Sequence, residues 1–307
     1  MSDDRAIFTE LSPIVGGLID RHLGNAKEWF PHEYVPWSLG RDFEPDDEWT
    51  PDEVPMEDAL RAALVVNLLT EDNLPHYYRA IDAVFGADEP WAFWSRRWTA
   101  EEGRHSIVIR DYLTVTRAVD PIALERGRMV QVSGGWAPPF SGIADALAYT
   151  ALQELATRVS HSNTGRLLGD DHGRKLMARV AGDEALHHVF YRDAMGALLE
   201  LDPAGAVLAI DRVVREFAMP GTAIPNFTRH AKAIAAAGIY DFASHHGSVL
   251  VPVVIDAWQL DQVEGLHGDA EAARVRCLDH IERVGRIANR LRERRQAVAR
   301  EEVSATA

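Results

Sequence analysis

The sequence contains little of what defines several common protein classes. Its 307 residues include one cysteine, Cys277, which excludes an intrachain disulfide and any site built from two or more thiolates. Lysine and arginine total 32 against 47 acidic residues, and the net charge of -15 argues against a general nucleic-acid-binding protein. The longest apolar runs, such as residues 249–255, fall far short of the roughly 20 residues that cross a bilayer.

The N-terminal residues are acidic and resemble neither a signal peptide nor an Arg-rich transit peptide. A single cysteine also fits a reducing compartment. We therefore expect a cytoplasmic protein that binds neither nucleic acid nor membrane.

Apolar residues recur every three to four positions along most of the chain, and this period is typical of amphipathic α-helices. The pattern predicts helices near residues 5–24, 56–85, 90–118, 143–167, 173–200, 204–217, 226–237 and 270–300. Residues 31–55 and 133–142 are rich in proline or glycine and are predicted to be connections. Residues 249–255 have a β-type composition, but helical patterns on both sides favour a buried helix. Because no stretch resembles a flexible linker, the sequence predicts one domain over residues 1–307.

The last predicted helix is unusually basic. Residues 271–300 contain nine arginines and four acidic residues, a net charge of +5, so the rest of the chain is near -20. This pattern is compatible with a solvated helix face or with a docking surface for an acidic partner.

Two Glu-x-x-His motifs stand out, Glu102 with His105 and Glu184 with His187. Residues three apart on a helix lie on one side, one turn apart, so both side chains of a motif can reach one point. Each motif alone is a weak indication, because Glu and His are common on solvated helix faces.

A further glutamate precedes each motif at a matching distance. Glu71 lies 31 residues before Glu102, and Glu154 lies 30 residues before Glu184. Two helices would then supply one Glu each, and two others a Glu-x-x-His motif each. Ferritin-like four-helix bundles use this ligand set to hold two iron or manganese ions.

Charge balance supports a metal site. Four ionised carboxylates buried together would cost many kcal/mol, whereas two divalent cations would neutralise them. Carboxylates and imidazoles without thiolates suit iron, manganese or zinc, and redox chemistry favours iron. The sequence therefore predicts an all-α, ferritin-like four-helix bundle with a dinuclear metal site, extended by additional helices.

Around these residues the sequence resembles the soluble acyl-acyl carrier protein desaturases of the plant stearoyl and actinobacterial type. The resemblance covers about residues 15–265 and rests on the segments TEDNLPHYY, FWSRRWTAEEGRH, YTALQELATRVSHSNTGR and AGDEALHHVFYRD. It implies two iron ions per chain, held by Glu71, Glu102, His105, Glu154, Glu184 and His187.

The resemblance also implies roles beside the metals. Thr157 would help to handle oxygen and protons, although its hydroxyl could instead bond back to a helix carbonyl. Asp183 would hydrogen-bond an iron-ligating histidine and, with Arg104 and Trp29, form a path for electrons from the surface. For Trp29, a purely structural role in the core fits equally well. His161 is interpreted as an ordinary polar or core histidine.

The implied reaction introduces a cis double bond into a fatty acyl chain, using O2 and electrons from a ferredoxin-type donor. The acyl chain would arrive on acyl carrier protein, and the enzyme would be a homodimer. Helix spacing from Glu154 nominates Leu147 and Ala151 as substrate-channel residues. The resemblance adds the α-helical residues Ala80, Ala83 and Val84, and ordinary core packing remains an alternative for all five.

Three other functions share this ligand type. They are a diiron hydroxylase or N-oxygenase, a ribonucleotide reductase small subunit, and a ferroxidase or iron-storage protein. Product analysis would separate a hydroxylase or N-oxygenase from a desaturase. A ribonucleotide reductase small subunit has a radical tyrosine near the cluster, and an iron-storage protein forms a cage-like assembly.

Overall fold

The computed structural model describes residues 2–44, 47–86, 88–140 and 142–306, with side chains except at 2–5, 223, 295 and 298–306. These ranges contain helices and no strand, so the all-α prediction is confirmed. The α-helices in the described ranges are α1 (Ser2–Asn25), α2 (Asp58–Glu71), α3 (Leu74–Phe85), α4 (Trp91–Val115), α5 (Pro121–Gly134), α6 (Ile143–Leu167), α7 (Asp171–Leu201), α8 (Pro203–Glu216), α9 (Phe227–Ala236), α10 (Phe242–His245) and α11 (Gly268–Thr306). Within the same ranges, no helix combines the length and the apolarity that a bilayer crossing requires.

Aspartates fix the starts of several helices. The side chain before α5, α7 and α8 accepts a hydrogen bond from a first-turn backbone N–H, and these residues are Asp120, Asp170 and Asp202. Such caps satisfy amide groups that have no partner inside the helix. Proline in the first turn of α5 and α8 adds a backbone angle already suited to a helix.

Four helices, α2, α4, α6 and α7, form the centre of the fold. Along α4, residues 91–98 contribute to one hydrophobic cluster and residues 108–113 to another. Along α7 the order is reversed, with residues 176–180 in the second cluster and residues 190–199 in the first. The polar residues of both Glu-x-x-His motifs therefore lie in a layer between two apolar clusters.

The remaining helices cover this centre. α1 packs on α7 and α4, α9 packs on α2, and α8 packs on α6 and α11. Residues 249–255 lie in a π-helical segment, His246–Ala257, which buries Val249, Leu250, Val253 and Val254. The predicted buried helix is thus present, in the wider π form.

Two elements differ from the predicted pattern. The single helix predicted near residues 56–85 is divided, because α2 ends at Glu71 and Pro75 lies in the first turn of α3. Residues 121–134, which carried no helix prediction, form α5. Gly127 weakened the helical pattern there, whereas Asp120 and Pro121 were the start signals that could have revealed it.

Candidate metal centre

The structure brings the six predicted ligands together in one buried layer. Their oxygen and nitrogen atoms form two groups, and the atoms within each group lie within 4.8 Å of one another. The first group is Glu71, Glu102, His105 and Glu184, and the second is Glu102, Glu154, Glu184 and His187. Glu102 and Glu184 therefore belong to both groups, whereas each of the other four residues belongs to one.

Both histidines turn the same ring nitrogen toward the carboxylates. His105 Nδ1 lies 3.5 Å from Glu102 Oε2 and 3.6 Å from oxygens of Glu71 and Glu184. His187 Nδ1 lies 2.7 Å from Glu102 Oε1, although the pair lacks hydrogen-bond geometry. Neither Nδ1 atom has a hydrogen-bond partner, and the same holds for one oxygen each of Glu102, Glu154 and Glu184.

Unpartnered buried polar atoms are rare because their desolvation is not repaid. Five such atoms, two imidazole nitrogens and three carboxylate oxygens, lie in this one layer. Together they match the donor atoms that two bound cations would need. Carboxylate oxygens and imidazole nitrogens are the ligands expected for iron or manganese.

The carboxylates oppose one another's ionisation. Burial raises the pKa of Glu154, and the nearby charges of Glu184 and Glu102 raise it further. Burial and the charge of Glu184 likewise raise the pKa of Glu102. Burial also disfavours the charged form of Glu184, but the neighbouring imidazoles of His161 and His187 outweigh it and hold that pKa well below its usual value. The layer therefore needs positive charge to keep all four carboxylates ionised.

Asp183 connects His105 to Trp29 and Arg104, the residues that the family resemblance grouped with it. Its Oδ2 accepts hydrogen bonds from Trp29 Nε1 at 2.8 Å and from Arg104 at 2.9 Å, and lies 3.5 Å from His105 Nε2. The Trp29 ring stacks on His105 with 6.4 Å between centroids. Arg179 pairs with the other Asp183 oxygen. These contacts form a continuous path from His105 to Arg104, whose side chain is 21% exposed.

His187 has a corresponding support that the sequence analysis missed. Glu101 Oε2 lies 2.9 Å from His187 Nε2 and 2.9 Å from His22 Nε2, while Arg97 donates to Glu101 Oε1. The His22 and His187 rings stack with 5.7 Å between centroids. The available signal was an acid directly before each motif glutamate, since Glu101 precedes Glu102 as Asp183 precedes Glu184.

His161 is not an ordinary core histidine. Its Nε2 lies 3.2 Å from Glu71 Oε1 and 3.4 Å from Glu184 Oε1. Burial alone would lower the His161 pKa, but hydrogen bonds to Glu184 and Glu71 raise it to about 9. Its position seven residues after Glu154, two turns along the same face of α6, was the signal that could have found it.

Two cavities flank Glu71, and both are also lined by Thr70. The wide cavity has a volume of about 100 Å³, and its walls include Thr157, Met219, Phe227, Ile234 and Tyr240. The narrow cavity has a volume of about 20 Å³, and its walls include Tyr77, Trp98, Trp136, Phe140 and Tyr149. Most of the space for a ligand beside the carboxylate layer therefore lies in the wide cavity.

The five predicted channel residues lie elsewhere. Leu147 and Ala151 are fully buried in the larger hydrophobic cluster, Ala80 and Val84 pack against it, and Ala83 is exposed. None of the five is among the described residues that line either cavity. At 100° per residue, Ala151 and Leu147 lie on one flank of Glu154, whereas the lining residues Thr150, Gln153 and Thr157 lie on the other.

The Thr157 hydroxyl points to its own helix. It donates to the carbonyl oxygens of Gln153 at 3.2 Å and Glu154 at 3.0 Å. This is the alternative considered from sequence, and the residue also forms part of the wide-cavity wall.

Several arginines of the basic helix α11 form ion pairs. Arg276 reaches Asp211 on α8, and Arg274 and Arg286 pair with glutamates of α11 itself. The side chains of Arg295 and Arg300 lie outside the described ones.

Comparisons with known proteins agree with this arrangement. A family model described as fatty acid desaturase matches residues 3–307. Mycobacterium tuberculosis DesA1, which carries an acyl-acyl carrier protein desaturase name, is 41% identical over 281 residues, covering 88% of this chain and 83% of DesA1. The stearoyl-acyl carrier protein 9-desaturase 6 of Arabidopsis thaliana is 32% identical over 260 residues, covering 78% of this chain and 65% of the plant protein.

A solved structure supports the fold. The X-ray structure of Mycobacterium tuberculosis DesA2, which also carries an acyl-ACP desaturase name, matches with a TM-score of 0.71 at 27% identity. The match covers 84% of this chain and 97% of DesA2, and it confirms the predicted ferritin-like helical fold. With a family model spanning nearly its whole length and a relative 41% identical, this chain belongs to the fatty acid desaturase family.

Proposed function

We propose that this protein is an acyl-acyl carrier protein desaturase, which uses O2 to introduce a cis double bond into a carrier-bound fatty acyl chain. The observation that carries the proposal is the buried layer in which two carboxylate–histidine groups share Glu102 and Glu184 beside a largely apolar cavity. The names of the relatives support acyl carrier protein as the carrier of the substrate.

Six side chains would hold two iron ions. Glu71 and His105 would face one ion, Glu154 and His187 the other, and Glu102 and Glu184 both. Four carboxylates balance two divalent cations, and the unpartnered Nδ1 atoms supply neutral donors. When bound, the iron pair supplies the O2-dependent oxidation that amino-acid side chains cannot perform.

Acidic residues outside the ligand set would orient the histidines. Asp183 and Glu101 lie at the Nε2 atoms of His105 and His187, so each ring is held with Nδ1 toward the layer. We also propose that the path from Arg104 through Trp29 and Asp183 to His105 carries electrons from a ferredoxin-type donor. Its support is the continuous set of contacts that ends at the partly exposed Arg104.

The wide cavity would hold part of the acyl chain. Met219, Phe227 and Ile234 in its wall match a hydrocarbon and exclude water. Because unactivated C–H bonds offer no charge to bind, the walls must position the reacting carbons by shape. Thr157 contributes a hydroxyl group to this wall, and we propose Thr157 as the residue that helps to transfer protons.

The carrier protein would dock on the exposed face of α9. Arg229 and Lys232 border a surface depression that shares Phe227 with the wide cavity. A cationic rim at this position would attract a small acidic carrier in a chain whose net charge is otherwise negative. The basic α11, considered from sequence, is the competing surface.

Charge reversal would separate the two surfaces. Replacing Arg229 and Lys232 with Glu should raise the KM for the acyl-carrier substrate severalfold, most strongly at low salt. The matched double reversal of Arg290 and Arg294 on α11 should leave KM unchanged, and the opposite result would assign docking to α11.

We propose a homodimer of single-domain chains. Large apolar side chains on α4 and α5 are exposed, with 50% of Ile107, 59% of Ile122 and 70% of Met129 accessible. A second copy of the chain would cover this face. Light scattering should give twice 34.1 kDa, and Met129→Glu should shift the mass toward a monomer.

Mass spectrometry of the products tests the function. Protein loaded anaerobically with iron should convert an acyl-carrier thioester, in the presence of reductant and O2, into a cis alkene that lacks two hydrogens. Glu102→Gln should give no product. An alcohol or an oxidised amine would instead identify a hydroxylase or an N-oxygenase, and iron oxidation without any acyl product would identify a ferroxidase.

A further inference from the structure

A group of aromatic rings borders the carboxylate layer on the side of His187, a predicted metal ligand. Trp94 of α4 is fully buried, and its ring centroid lies 6.2 Å from that of His187. The Trp94 ring stacks on Phe190 with 3.5 Å between centroids, and it meets Tyr191 edge to face at 5.7 Å. An indole is among the side chains that give up a single electron most readily, so Trp94 places an oxidisable group directly beside the layer.

A single layer of rings separates Trp94 from the protein surface. A surface pocket with a volume of about 180 Å³, which we call the outer pocket, has His22 and Phe190 in its wall beside the polar side chains of Arg21 and Asn25. Both rings also contact Trp94, since the His22 centroid lies 5.0 Å from it. A small solute in the outer pocket therefore lies one ring away from Trp94.

Trp94 and Tyr191 both contain a buried polar group without a partner. Within the part of the chain that the structure describes, neither Trp94 Nε1 nor the Tyr191 hydroxyl has a hydrogen bond of acceptable geometry. Such groups are rare in folded proteins, and a redox role is one physical explanation. An oxidised indole can keep its proton, whereas a phenol loses its proton together with the electron. Because no acceptor for the proton is in place, the electron leaves more easily from Trp94 than from Tyr191.

Trp98 also borders the layer, on the side of the narrow cavity. Its Nε1 donates to Glu154 Oε1 at 3.0 Å, and its ring lies 6.5 Å from that of His187. Among the described residues, the ring contacts of Trp98 end at His187, whereas those of Trp94 continue to the wall of the outer pocket. Of these two tryptophans, only Trp94 thus connects the layer with the surface.

We propose that Trp94 is an electron relay, which protects the candidate metal centre when O2 reacts there without an acyl chain. O2 needs four electrons and four protons to become two waters. In desaturation two electrons come from the iron pair and two from the C–H bonds of the acyl chain. Without an acyl chain, Trp94 would supply the second pair, one electron at a time.

Each electron lost from Trp94 would be restored by a small reductant of the ascorbate class in the outer pocket. One such molecule gives up two electrons, and the protons come from the reductant and from water, so the reaction is balanced. The inference rests on the proposed function, because it requires that the iron-loaded centre reacts with O2.

The yield of hydrogen peroxide per O2 consumed tests the relay, because two electrons reduce O2 to peroxide and four reduce it to water. Protein loaded anaerobically with Fe²⁺ is mixed with O2 and ascorbate in the absence of acyl substrate. Trp94→Phe should release severalfold more peroxide per O2 than the wild type, since phenylalanine does not supply the electron. Equal yields would overturn the relay alone. If the loaded wild-type protein consumed no O2, the proposed function would fall with it.

Two matched variants control for packing. Trp91 is also a fully buried tryptophan of α4 with an unpartnered Nε1, but its ring stacks on Phe85. Trp91→Phe should therefore leave the peroxide yield unchanged. Tyr191→Phe removes only a hydroxyl and should also leave it unchanged. A rise in either control as large as that in Trp94→Phe would overturn the assignment to Trp94.

A measurement on the wild-type protein tests the relay even if Trp94→Phe folds poorly. Loaded protein frozen rapidly after mixing with O2, without ascorbate, should show an organic radical by electron paramagnetic resonance. Ring-deuterated tryptophan should narrow the signal, and ascorbate should remove it. Peptide mass spectrometry after repeated exposure to O2 should locate added oxygen at Trp94. A tyrosyl signal, no radical, or oxygen added at Trp91 or Trp98 in place of Trp94 would overturn the inference.

Discussion

The two histidines of the candidate metal centre are supported by the same local pattern but by different surroundings. In each motif an acid directly precedes the glutamate, and each acid contacts the histidine of the other helix. Asp183 of α7 lies at His105 of α4, and Glu101 of α4 lies at His187 of α7. The two packed helices therefore support each other's histidine, because the acid that precedes the motif glutamate on one helix contacts the motif histidine on the other.

The partners of the two acids differ. Asp183 is surrounded by permanent donors, since Trp29, Arg104 and Arg179 all contact it. Glu101 contacts one arginine, Arg97, and its second imidazole partner besides His187 is His22. The comparison shows that a short motif can determine the first contact of a ligand, while distant segments such as the loop with Trp29 and helix α1 decide how it is stabilised.

The largest effect should come from removing a residue that both groups share. Glu102→Gln should abolish binding of both metal ions, whereas Glu71→Gln should leave one, because Glu71 belongs to a single group. Metal analysis after anaerobic loading, with circular dichroism to verify folding, measures the difference. Equal losses in the two variants would show that the layer is not divided into two sites.

A smaller effect should follow from neutralising the supporting acids. Asp183→Asn and Glu101→Gln should each weaken metal affinity by about 10–100-fold, because a histidine loses the acid that orients it. Asp183→Asn should be the more severe, since it leaves two arginines without their carboxylate. Titration with Co²⁺, followed by absorption, measures both, and the reverse order would show that the shorter 2.9 Å contact of Glu101 matters more than charge.

The smallest effects should come from the outermost partners. Trp29→Phe and His22→Phe each remove one hydrogen bond to a buried carboxylate that keeps other partners, so each should cost about 1–2 kcal/mol of unfolding free energy. Only Trp29→Phe should slow reduction of the loaded protein by an external donor. Stopped-flow reduction measures this, and equal rates in the two variants would remove Trp29 from the electron path.

The sequence alone identified the candidate ligands, in part because the geometry within each motif is local. A spacing of three residues places Glu and His on one side of a helix in any context, and the apolar period locates the four helices. Glu71 and Glu154 were assigned to the two motifs by their matching distances along the chain, 31 and 30 residues, and by the ligand set of ferritin-like bundles. The prediction of an all-α bundle followed from the same periodicity, and its main omission was α5.

Only the tertiary structure decided which residues meet across helices. His161 reaches Glu71 across 90 positions of the chain, and Glu101 reaches His187 across 86. The flank of Glu154 that faces a cavity also depends on how α6 is rotated against its neighbours, so Leu147 and Ala151 could not be separated from Thr150 and Gln153 by spacing alone. The narrow cavity combines residues of α3, α4, α6 and the connection after α5. Its position follows from packing, because helix periodicity defines a face but not the element that the face meets.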